Sequence, residues 1–133
     1  MKYIFILILL IQIQTISSQQ ILEDHPLSKT IEETSGLEII DNMLITHNDS
    51  GGEPALYYLD KKGKIVDTRK ITGVKNNDWE DVTRDDKFIY VANMGNNFDT
   101  RKNLSIIKIP IKKSLNETVE VINFLYPEQK KFN

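Results

Sequence analysis

The chain has 133 residues, with 17 basic against 19 acidic side chains, a formal net charge of −2 and a pI near 5.7. That balance argues against nucleic acid or an anionic membrane surface as a partner, since both call for a concentrated positive field. The absence of cysteine excludes a disulfide framework, a thiolate metal site and a thiol nucleophile together.

At the amino terminus, Lys2 precedes an apolar run over 3–13 and a polar, small-residue stretch over 14–20. This is the order of a cleavable secretory signal, placed at residues 1–18 with Ser18 at position −1 and Ile16 at −3. The apolar run falls well short of the roughly 20 residues of a membrane-spanning helix. The expected product is extracytoplasmic, periplasmic or secreted, with no membrane association after signal cleavage. Residues 19–33 are mostly polar, include Pro26, and read as a flexible lead-in.

From Ser35 onward, short apolar runs are punctuated by Gly, Asn and Asp about every ten residues, the rhythm of an all-β fold. Strands are predicted over 36–40, 43–47, 55–59, 64–71, 80–83, 88–92, 104–109 and 119–125. The runs at 43–45 and 88–92 are continuously apolar and suit strands buried on both faces. The segment 64–71 turns polar in its second half and suits a sheet edge.

Sliding the chain by 45 residues lays 41–48 on 86–93, Leu37 on Val82, and Ser50-Gly51-Gly52 on Gly95-Asn96-Asn97. A period near 40–45 residues with four strands per unit is that of a propeller blade. The prediction is an incomplete β-propeller over 34–133, about two four-stranded antiparallel blades with repeat units near 35–73 and 79–125. Closed propellers need about four blades or more, so the chain reads as the N-terminal portion of a longer protein or as one that needs partners.

Two polar clusters fall at predicted strand ends, Asn76-Asn77-Asp78-Trp79-Glu80-Asp81 and a second over 93–101. Carboxylates and asparagine carbonyls are the hard oxygen ligands that Ca²⁺ gathers from loops. Glu80, Asp81, Asn96 and Asn97 are therefore the candidate metal ligands, with Ca²⁺ the candidate cofactor. Asp78, Trp79 and Arg101 are the candidate binding residues. The competing account is turn chemistry, because Asn, Asp and Gly tolerate positive φ without any ion. Trp79 reads as a packing anchor ahead of a ligand platform, and His47, inside an apolar run, as a structural histidine.

Asp49-Ser50-Gly51-Gly52 resembles the nucleophile loop of trypsin-like proteases, but His25 and His47 are the only histidines and no acid-base partner is identifiable. A glycine-rich turn accounts for it. Asn48, Asn103 and Asn116 begin glycosylation acceptor triplets, which matter only in a host that glycosylates exported asparagines.

The series Ser35-Gly36-Leu37-Glu38, Asn48-Asp49-Ser50-Gly51-Gly52, Tyr58-Leu59-Asp60, Asn77-Asp78-Trp79-Glu80-Asp81, Gly95-Asn96-Asn97 with Arg101, and Tyr126-Pro127-Glu128-Gln129 resembles the N-terminal part of an exported bacterial β-propeller family. That family is loosely similar to calcium-dependent phosphotriesterase and gluconolactonase propellers. The resemblance spans roughly residues 34–133 and implies a longer, closed ring. Three functional expectations follow: a binding or interaction module for an unknown ligand or protein, a calcium-dependent hydrolase of lactones or phosphotriesters, or a fragment without activity of its own.

Overall fold

The computed structural model describes residues 21–113 and 118–126. The expected signal peptide, the acceptor triplet at Asn116, and residues 127–129 of the last family motif lie outside them.

Eight strands form two four-stranded antiparallel sheets, each in simple up-and-down order. The first holds β1 (Thr34–Ile40), β2 (Met43–Asn48), β3 (Ala55–Leu59) and β4 (Ile65–Lys70). The second holds β5 (Trp79–Arg84), β6 (Phe88–Asn93), β7 (Leu104–Pro110) and β8 (Glu120–Phe124). The all-β prediction is met, and each predicted strand is present with its ends moved by no more than two residues. Asp41 and Asn42, at φ 48° and 67°, form the β1–β2 turn that the right-handed strand twist favours.

Strand alternation sorts side chains to opposite faces. One face of each sheet meets the other sheet, where Ile45, Leu56, Trp79, Val82, Ile89, Val91 and Ile107 form the main core. The far face of the first sheet is a smaller cluster of Ala55, Tyr57 and Leu59, closed by Ile31. Ile31 sits at the end of a single 3₁₀ turn, Lys29–Ile31, capped by the Ser28 side chain, and is fully buried. The lead-in thus carries an anchor that its polar composition conceals. Arg69, on strand β4, is 3% exposed and donates to the carbonyls of Pro110 and Ile111 at 2.6 and 3.3 Å, tying the two sheets together.

The sheets also meet along a seam between β1 and β5. Ser35 Oγ donates to the Glu80 carbonyl at 2.7 Å, Thr83 Oγ1 to Glu38 Oε2 at 3.3 Å, and Arg84 Nε to the Ile39 carbonyl at 2.8 Å. Each bond joins residues 45 positions apart, the offset of the sequence repeat. Equivalent residues of the two units are therefore side by side. Gly36, at φ +62°, makes this approach achievable, because a Cβ there would lie 2.8 Å from the Val82 nitrogen and 2.9 Å from the Asp81 Cα.

Candidate metal centre

The antiparallel order brings the end of β2, the start of β5, the end of β6 and the start of β7 to one end of the molecule. Asp49 follows β2, Asp78 precedes β5, and Glu80 lies in a β-bulge of β5, where register passes from Trp79 opposite Asn93 to Asp81 opposite Ala92. A bulge re-aims the side chain of its extra residue. One carboxylate oxygen from each of Asp49, Asp78 and Glu80 falls within 4.8 Å of the others, and all three residues are half-buried.

Their backbones are fixed independently of their carboxylates. The Asp49 carbonyl accepts from the Trp79 amide at 2.7 Å, the Asp78 carbonyl from the Gly95 amide at 3.1 Å, and the Glu80 carbonyl from Ser35. Gly95 provides the space. A Cβ at that position would lie 2.2 Å from Asp78 Cγ and 2.3 Å from both Asp78 Oδ2 and Glu80 Oε1.

Arg101 supplies the nearest positive charge. It donates to the Gly95 carbonyl at 2.6 Å and to Asn93 Oδ1 at 3.2 Å, and its guanidinium stands 4.0 Å from Asp78. One guanidinium against three carboxylates leaves two negative charges when all are ionised. Burial holds the Asp78 carboxyl above its ordinary value, followed by its hydrogen bond and repulsion with Asp49, against the opposing pull of Arg101. Glu80 is raised by burial first, then by repulsion from Asp49 and Asp78, again opposed by Arg101. The buried Oδ1 atoms of Asn48 and Asp49 have no hydrogen-bond partner among the described residues.

Of the residues singled out from sequence, the structure brings together Asp78, Glu80 and Arg101. Asp81 is exposed, and its Oδ1 accepts from the Val82 amide at 2.8 Å beside the seam. Asn96 is committed to a turn, with Oδ1 accepting from the Arg101 amide at 2.8 Å, and Asn97 is exposed. Trp79 is fully buried between the sheets, edge-on to His47 with ring centroids 5.6 Å apart. It serves as the packing anchor, and burial keeps His47 below its ordinary pKa despite nearby carbonyls and carboxylates.

Asp49 was missed because its motif reads as a turn. The signal for it is topological. The Asp49 amide donates to the Glu33 carbonyl at 2.9 Å, beside the start of β1, and the seam sets the start of β1 against the start of β5. No protein-family model matches the chain, nor does any curated protein or solved structure at a significant level.

Proposed function

We propose that the chain is an extracytoplasmic binding module of propeller type whose Asp49, Asp78 and Glu80 carboxylates hold a divalent cation. The observation that carries this reading is the convergence of three carboxylates over a glycine whose missing side chain gives them room. Two residual negative charges match a divalent ion, and an all-oxygen donor set suits Ca²⁺. The propeller assignment is supported by the in-register contact of β1 with β5, since inner strands of successive blades would meet in this way. Export rests on the sequence of residues 1–18.

The raised Glu80 favours a second reading, calcium-dependent hydrolysis of a lactone or phosphotriester. There the cation would polarise the substrate and a carboxylate would act as base. The binding module ranks first because each of the three carboxylates is assigned to the cation as a ligand, which leaves none of them free to act as base.

Thermal unfolding in Ca²⁺, Mg²⁺ or a chelator tests the cation. A ligand at 100 times its dissociation constant adds about 2.7 kcal/mol, which for a domain of this size raises Tm by about 10–20 °C. Asp78→Asn should remove most of that rise. Identical melting in Ca²⁺ and chelator would refute the site.

A further inference from the structure

A second recess adjoins the carboxylate trio across Arg101, which bonds Asn93 and Asn103 of its lining, and lies between the connection that links the two sheets and the inward faces of β7 and β8. It encloses about 230 Å³. Its base is Asn93 and Ser105, only 6% and 3% exposed. Arginine has donors only, so the Asn93 atom facing Arg101 Nη2 at 3.2 Å is its carbonyl oxygen, which fixes the amide orientation. Asn93 Nδ2 then donates to Ser105 Oγ at 3.2 Å. The Ser105 hydroxyl, having accepted, keeps its own proton to give, and Asn93 keeps a second N–H. Two unspent donors therefore sit on buried side chains of the recess lining.

The rim repeats the same chemistry. Asn77 and Asn123 are exposed amides, and Asn103 offers its NH₂ because its oxygen accepts from Arg101 Nε at 3.4 Å. Lys75 adds one ammonium, and Ile107 and Val121 form an apolar wall. The amide is a neutral side chain offering both donor and acceptor, which is what closely spaced hydroxyl groups require. A carbon skeleton can rest on the apolar wall while a carboxylate reaches Lys75.

We propose that this recess binds a small acidic sugar, a monosaccharide bearing one carboxylate. The test is calorimetric titration of the full chain with glucuronate, glucose and acetate, in chelator so that the carboxylate trio holds no metal. Glucuronate should bind saturably and glucose about tenfold more weakly, the loss of one charge-assisted contact. Acetate should show no saturable binding. Ser105→Ala should weaken glucuronate about tenfold. Lys75→Gln, on the exposed rim, should bring glucuronate to the level of glucose and remains informative if the buried Ser105 variant misfolds. Absence of saturable glucuronate binding, equal binding of acetate, or indifference to Lys75→Gln would overturn the assignment.

Discussion

Replacing Gly95 by alanine separates the stability of the fold from the function of the carboxylate trio. The new Cβ would stand 2.2–2.3 Å from Asp78 and Glu80 atoms, whereas ordinary contact begins at 3.4 Å, so both carboxylates must retreat by roughly 1 Å together. The clashing atoms are side-chain ends rather than backbone, so the fold can yield at the usual overpacking cost of about 1–3 kcal/mol. Cation coordination is less forgiving, because ligand distances must hold within about 0.2 Å. A displacement several times that tolerance should weaken Ca²⁺ at least about a hundredfold, which is about 2.7 kcal/mol. Scanning calorimetry of wild type and Gly95→Ala, each with Ca²⁺ and with chelator, reads both effects. The variant should melt lower in chelator, by about 4–8 °C per kcal/mol, and gain almost nothing from Ca²⁺. A Gly95→Ala protein whose Ca²⁺-dependent rise equals that of wild type would refute the reasoning.

The trio also sets a pH dependence, because Asp78 and Glu80 have folded values raised above their unfolded ones, so the folded state binds more protons from about pH 4 up through those raised values. Metal-free stability should therefore fall as pH rises through that window. Glu80→Gln should flatten the fall and gain about 1 kcal/mol near neutrality, the Coulomb scale for solvated charges 4 Å apart. Urea midpoints of the two proteins compared in chelator cancel the opposite contribution of His47, and a wild type that gains on the variant as pH rises would exclude the repulsion. Ile31→Ala should cost about 2–4 kcal/mol by opening the cluster over Ala55, Tyr57 and Leu59, measurable by chemical denaturation; a loss below about 0.5 kcal/mol, the scale of a surface change, would mean that the lead-in does not close that face. Gly36 and Gly51 both have positive φ, but a Cβ at Gly51 meets nothing within 4 Å. Gly51→Ala should cost about 1–2 kcal/mol and Gly36→Ala about 1–3 kcal/mol more; equal losses would show that the seam can open.

The strands were legible because their determinants are local, namely apolar runs bounded by turn residues. The 45-residue offset read from the sequence is also the separation of the seam's three bonded pairs. What sequence could not supply was the consequence of the seam. Asp78 and Glu80 stand out in a dense polar cluster, but Asp49 joins them only because the end of β2 is brought to the start of β5. Asp81 looks equivalent to Glu80 in the sequence, but only Glu80 joins the other two carboxylates, while Asp81 is exposed and accepts from the Val82 amide. Asn96 followed its turn chemistry and is spent on the Arg101 backbone. Ile31 was hidden for a different reason, since a single apolar residue in a polar segment has no periodicity to betray it.

Each member of the trio is bound to the scaffold through its main-chain carbonyl, to the Trp79 amide, the Gly95 amide and the Ser35 hydroxyl. The carboxylates are therefore free to change without loosening the strands that carry them. Exchanging Asp for Asn, or Glu for Gln, would alter charge and ligand preference while leaving these three bonds in place. The same frame could be inherited with its chemistry rewritten, and its more demanding positions are the residues around the trio, Gly95 for space and Ser35 for the seam.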